Sequence, residues 1–348
     1  MTADPALGFW LRYAETEGAL HEQAGAATTV LLPDTLRRIF ELPEVVAVTA
    51  DPEVAREDGA LLLTPGHPAL DGAAQRVLDR GDVGRVTLAW PSAAPPSAGA
   101  LLERLRDRVP VDHGRIDPAG EPPATGYLPV LRVGALITYT VTLDERYQER
   151  QEAWVDATTG LPLAGAVSRA LDTWATADVI AHRVLPADHN GAAAAAQTLL
   201  EQRAGERLAA LTRQARGPRE AEVVRIRDYY RAALESLARR RATAPADRQA
   251  MLDARADATR AEQERRLAEV EEKFQGRVET RWFRAHELLV PALTVPVTVH
   301  RGRREYPFSF CWLLPARAVA PVRCPHCGAG RSLVAGKEWL GCQGCLPA

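Results

Sequence analysis

Four of the five cysteines fall in the last 25 residues, as Cys324-Pro-His-Cys327 and Cys342-Gln-Gly-Cys345, with 14 residues between the pairs. A CxxC turn aims two sulfurs at one side of a tetrahedral ion, and a second pair returned by a short hairpin supplies the other two. The spacing therefore predicts a zinc site formed by Cys324, Cys327, Cys342 and Cys345. The alternatives are two disulfides or four unrelated thiols. Four thiolates leave no open position for water, so the site reads as structural rather than catalytic. His326 lies inside the first pair, whose edge is already filled, and reads as a bystander. The fifth cysteine, Cys311, reads as a small buried apolar residue.

The remaining composition sets broad limits. A chain of 348 residues predicts two or three domains, and an apolar fraction of 46% suffices for real cores. No uninterrupted apolar run reaches membrane-spanning length, and the opening Met-Thr-Ala-Asp lacks the features of a secretory leader. With the cysteine usage, these features predict a reducing cytoplasm. The net charge of −2 hides an asymmetry: residues 277–348 carry nine Arg and one Lys against four Glu. A basic C-terminal module suggests an anionic partner, nucleic acid first; an ordinary solvated face, or docking onto the acidic remainder of the chain, is the competing reading.

Along the chain, residues 5–90 read as mixed α/β, with Asp34 expected to cap a helix over Thr35–Phe40. Leu128–Leu143 and Tyr147–Asp156 predict a long β-hairpin turning at Asp144-Glu145-Arg146, with the N-terminal strands as its cover. Residues 166–276 read as almost entirely helical, broken at Gly217-Pro218. Val223, Ile226, Tyr230, Ala233 and Leu237 recur at 3, 4, 3, 4 spacing, and Leu267, Val270 and Phe274 repeat it after a turn at Ala244-Pro245-Ala246-Asp247, which predicts an antiparallel helical hairpin. Leu288–His300 reads as a strand kept to an edge by Pro291 and Pro296. After the turn Arg301-Gly302-Arg303-Arg304 it returns through Tyr306, Phe308 and Phe310 toward the cysteines.

The expected class is thus α+β: an N-terminal mixed α/β domain with a long β-hairpin (1–165), a central helical region with a coiled-coil hairpin (166–287), and a C-terminal β-hairpin with a zinc ribbon (288–348). Arg301, Arg303 and Arg304 form the candidate nucleic-acid contact, with Arg317, Arg323 and Arg331 expected beside them if the hairpin packs on the ribbon. No phosphate-binding Gly-rich loop, nucleophile elbow or HExxH pair occurs. His182 and His189 flank Asp188 and suggest an acid–base or second metal role, and loop histidines are the plainer reading.

This ordering resembles the region that follows the motor core in bacterial Swi/Snf-type helicases of the RapA-like group, and stand-alone accessory proteins similar to it. The residues that carry the resemblance are the runs Arg227–Tyr230 and Glu264–Phe274, then Val278–Val299, Trp312 and the ribbon. Thr64-Pro-Gly-His67-Pro68-Ala-Leu70 is similar to the segment before that region. The ATP-binding and helicase motifs are missing, so motor activity does not carry over. The resemblance implies a non-catalytic accessory module that works beside a helicase-type ATPase on DNA, in a bacterial defence or repair setting, without a membrane. A structural subunit of a larger assembly, or an enzyme with an unfamiliar site in the N-terminal part, are the other classes.

Overall fold

The structure, a computed structural model, describes residues 4–109, 111–142, 145–330 and 332–345. The class is α+β, and the chain divides into two compact units, Met1–Asp82 and Val83–Ala348.

The first unit places α1 (Pro5–Thr16), α2 (Asp34–Phe40), α3 (Pro52–Asp58) and α4 (Pro68–Arg80) around a four-stranded sheet in the order β1 (Leu20–Ala24), β2 (Ala27–Leu31), β3 (Val45–Thr49), β4 (Leu61–Leu62). β1, β2 and β3 are antiparallel neighbours and β4 runs parallel to β3. Asp4 caps α1 by accepting from the amides of Ala6 (2.8 Å) and Leu7 (3.1 Å). Trp10, Val30, Leu36, Val48, Leu63 and Ala73 form the buried centre. Asp34 is not the cap of α2. Pro33 holds that place with an extended backbone, and Asp34, one residue further in, pairs with Arg37 at 2.8 Å.

The second unit is built on a nine-stranded sheet. Its spine is β8 (Ala124–Thr142), β9 (Glu145–Asp156) and the 25-residue β12 (Arg277–Arg301). β8 and β9 form the long hairpin; Asp144 of its expected turn lies outside the described residues, and Glu145 and Arg146 already belong to the returning strand. Within this unit the hairpin is covered by the helix His189–Gln214 and joined by β12. β12 pairs with β8 over Arg277–Pro291 and then with β13 (Arg304–Leu313) over Ala292–Arg301. β12 is therefore internal, which corrects the edge-strand expectation. Pro291 sits where β12 exchanges β8 for β13, and Pro296 one residue before pairing with β7 (Arg115–Pro118) begins at Val297. Prolines can be accommodated at such changes of partner, where the ladder is interrupted. β5 (Asp82–Leu88), β10 (Leu161–Pro162), β11 (Thr176–Ala177) and β14 (Ala318–Val319) complete the sheet.

Three long helices follow α5 (Ala98–Arg108) and α6 (Gly165–Asp172). α7 (His189–Gln214) lies on β8 and β9. It buries Ala192, Ala196, Leu200, Ala204 and Leu211 against Ile137, Tyr139 and Val155, and the small residues let helix and sheet approach closely. Asp188 caps α7 by accepting from Gly191 at 2.9 Å; a Cβ at Gly191 would lie 2.3 Å from the Asp188 carboxylate and displace the cap. α8 (Arg216–Thr243) and α9 (Ala246–Lys273) pack on each other as a helical hairpin, with Leu237 and Val270 its buried contacts. Lys273–Glu222 (3.2 Å), Arg219–Glu271 and Arg241–Asp253 bridge the two helices. Residues 173–188, expected to be helical, are not; β11 lies among them.

Candidate metal centre and the basic hairpin beside it

The first cysteine pair sits in a turn closed by two backbone bonds, Gly328 N–H to Cys324 O and Cys324 N–H to Ala329 O, both 2.9 Å. Gly328 makes the turn with φ of 76°. The second pair follows a small hairpin, β15 (Leu333–Ala335) and β16 (Leu340–Cys342), closed by Gly336 N–H to Trp339 O at 2.9 Å. Together they bring the four sulfurs within 4.8 Å of one another. Cys327 and Cys342 sulfurs are 3.6 Å apart, those of Cys342 and Cys345 3.7 Å, and the Cys342 amide points at the Cys324 sulfur from 3.2 Å. All four cysteines are free thiols, with Cys324 and Cys342 buried. The cluster is suited to a metal ion.

Its electrostatics fit that reading. Burial works against the Cys324 thiolate, but the amides of Cys327, His326 and Cys342 and the Cys327 thiol outweigh it and bring its pKa down to about 6. Cys345 is pushed up to about 12, first by its hydrogen bond with Cys327, then by burial and by the neighbouring Cys342. A cation among the four relieves the mutual repulsion that holds Cys345 protonated. His326 stacks on Trp339, rings 5.6 Å apart and 11° from parallel. Cys311 lies in β13 outside the cluster, and burial pushes its thiol up to about 12.

The cysteine module is fastened to the sheet. Leu333, Ala335 and Leu340 share one buried cluster with Val297, Val299, Phe310 and Trp312. β6 (Val111–Asp112) adds to β15 as a parallel strand and supplies an edge of the module. Arg301 donates to Ala335 O at 2.6 Å and the Tyr306 hydroxyl to Gly336 O at 3.0 Å. β6 is not legible in the sequence because a two-residue strand carries no periodicity, whereas Tyr306 stands in the alternating aromatic run.

The candidate arginines that the structure describes do not all fall in one patch. Arg301 is half-buried and committed to Ala335. Gly302, with φ of 61°, turns the chain, and Arg303 and Arg304 project from the tip, exposed and without an ion pair among the described residues. Arg317 is exposed beyond the opposite end of β13, roughly 30 Å from Arg304 at the usual rise per strand residue. There its carbonyl accepts from Arg108 at 2.5 Å, beside Trp312, which Arg104 and Arg108 cover. Arg323 is exposed and lies across Gly328 of the first knuckle. Arg331 lies outside the described residues.

His182, Asp188 and His189 do not converge. His182 stacks near Trp90, centroids 4.1 Å apart; Asp188 caps α7; His189 meets Glu287 at 2.7 Å. No helix among the described residues is long and apolar enough to cross a membrane. No protein family matches the chain, and no curated protein is similar to it.

Proposed function

We propose that the chain is a non-catalytic accessory subunit whose four cysteines hold one structural zinc ion and whose C-terminal module contacts nucleic acid beside a helicase-type ATPase, in a bacterial defence or repair setting. Zinc with four thiolates at about 2.3 Å has tetrahedral edges of about 3.8 Å, close to the Cys327–Cys342 and Cys342–Cys345 separations of 3.6 and 3.7 Å. Soft thiolates in that geometry favour zinc over the harder divalent ions. Bound there, the ion supplies folding energy and cross-links the two knuckles. Cys324, Cys327, Cys342 and Cys345 would ligate it and leave no position for a reacting water.

The observation that carries the nucleic-acid reading is the Arg303–Arg304 tip, two exposed guanidinium groups without ion pairs among the described residues on a turn anchored to the cysteine module. Guanidinium groups so placed suit backbone phosphates, which position a protein without reading bases. The helical hairpin is a weaker candidate contact, since many of its charges are spent on one another, as at Arg265–Glu262 (2.6 Å) and Arg266–Glu269 (3.0 Å).

The test is fluorescence anisotropy of the full chain on a duplex of arbitrary sequence across a salt series. Arg303→Ala with Arg304→Ala should weaken binding and flatten the log–log salt slope by up to about 1.8, at about 0.9 per phosphate. An unchanged slope, with loss of a bound ATPase subunit instead, assigns the tip to an acidic protein surface and overturns the nucleic-acid reading.

A further inference from the structure

The β8–β9–β12 ribbon has two faces of opposite character. One is buried under α7: Ala135, Ile137 and Tyr139 are fully covered there. The other belongs to the alternate residues, and pairing fixes its rows. Thr140 is flanked by Arg146 on β9 and Arg277 on β12; Thr138 by Gln148 and Glu279; Leu136 by Arg150 and Arg281. Directly paired residues of adjacent strands share a face, so these side chains stand together.

Arg146, Arg150 and Arg277 are exposed and make no ion pair or hydrogen bond among the described residues. Glu279 is the lone acid in these three rows. The next acid along, Glu152, is held by Arg132 at 2.7 Å and Arg284 at 3.4 Å. The outer strands are two strand spacings apart, about 10 Å, and the rows of Thr140 and Leu136 are four residues apart, about 13 Å. Like charges left unpaired on a rigid sheet repel one another and stabilise nothing within the fold. Their favourable use is to meet a dense anionic lattice.

We propose that this face is a second docking surface, for the phosphate backbone of a nucleic-acid duplex, bound without sequence preference. It extends the functional reading above and rests on it only in taking nucleic acid as the ligand; the side chains differ from those of the hairpin tip. A duplex presents one negative charge per about 1.7 Å of axis, dense enough for arginines at this spacing to reach several phosphates at once. The face favours a duplex over a single strand because Gln148, Thr138 and Glu279 fill its middle. The nearest ring, Phe283, is half-buried over Gly134 in the next row with Arg284 on it, so these rows offer no free ring on which unpaired bases would stack.

The experiment compares the full-length wild type, Arg146→Ala/Arg150→Ala/Arg277→Ala, and Arg303→Ala/Arg304→Ala on a short blunt DNA duplex and on one of its strands, across a salt series. The sheet-face variant should keep its circular dichroism spectrum and lose up to about 2.7 units of salt slope on the duplex. Replacing the same three by Lys should keep most of the slope, because the charge remains. A wild-type slope in the Ala variant overturns the proposal, as does an equal loss in the Lys variant or tighter wild-type binding to the single strand. Flattening in the tip variant alone leaves the functional reading standing and removes this surface. Flattening in the sheet-face variant alone does the reverse for the tip.

Discussion

Arg301 donates from Nη1 to the carbonyl oxygen of Ala335 at 2.6 Å, joining the last residue of β12 to the last residue of β15. The tip residues Arg303 and Arg304 follow within the same turn. One contact thus ties the turn that carries the exposed cations to the cysteine hairpin, and Tyr306 adds a second at Gly336.

Arg301→Ala should loosen that seating. A hydrogen bond from a charged donor to the carbonyl of the buried Ala335 contributes about 1.5 kcal/mol. Amide hydrogen exchange of β15 and β16 should accelerate several-fold, while β8 and β9 keep their protection. Unaltered exchange in β15 would show that the apolar cluster alone holds the module.

Asp156 sets a pH dependence. It is 1% exposed, and burial raises its pKa above the usual carboxylate value against the pull of hydrogen bonds from Thr158 and Thr159. The folded state therefore holds this proton more tightly than the unfolded state. The group's contribution is fully present below the unfolded value, about 4, and is lost as pH rises through the folded value. Asp156→Asn keeps an oxygen for the Thr158 amide and does not titrate. Denaturant midpoints should show the variant gaining on the wild type as pH rises from about 4; parallel curves would contradict this.

The helical hairpin should yield locally. Leu237 is 8% exposed on α8, and the Arg241–Asp253 pair one turn further along sets the stretch of α9 that lies against it. Leu237→Ala should cost about 2 kcal/mol, the low end for a buried leucine in a site that can relax. Limited proteolysis should cut first around the exposed Pro245 between the helices, and faster in the variant. Resistance at Pro245 under conditions that digest the sheet would refute the exposed turn.

What the sequence disclosed depended on periodicity. The 3, 4 spacing of Val223 through Leu237 and the apolar run of β8 each lay within one element and were readable there. β12 was read as beginning at Leu288 because Arg277–Glu287 is rich in charge. Those charges are the outer half of an alternation whose inner half is Val278 and Thr280. Arg146, Gln148 and Arg150 alternate with Tyr147 and Glu149 in the same way, so the basic face was latent in the spacing, but only pairing with β8 and β12 places its members together. The cysteine cluster was legible because CxxC is a local geometry. The separation of Arg317 from the hairpin tip was not, since Arg304 and Arg317 are close in sequence but lie toward opposite ends of β13.

ATP turnover offers a separate check. The sequence contains no Gly-rich phosphate loop of the form G-x-x-x-x-G-K-[ST], whose backbone amides, Lys and hydroxyl hold the nucleotide's phosphates and metal. The purified chain should neither bind nor hydrolyse ATP, and hydrolysis should appear only when an ATPase subunit co-purifies. Turnover that persists at constant specific activity through successive columns would contradict the accessory role.

The most direct measurement is metal content of the native, reduced full-length chain, purified without added metal and compared with Cys342→Ser. Structural zinc contributes about 10–16 kcal/mol in small modules. The account predicts one zinc per wild-type chain. It also predicts loss of that zinc in Cys342→Ser, together with faster hydrogen exchange confined to the segment around β15 and β16. A wild-type chain with no zinc, or with Cys324, Cys327, Cys342 and Cys345 paired as disulfides, would contradict it.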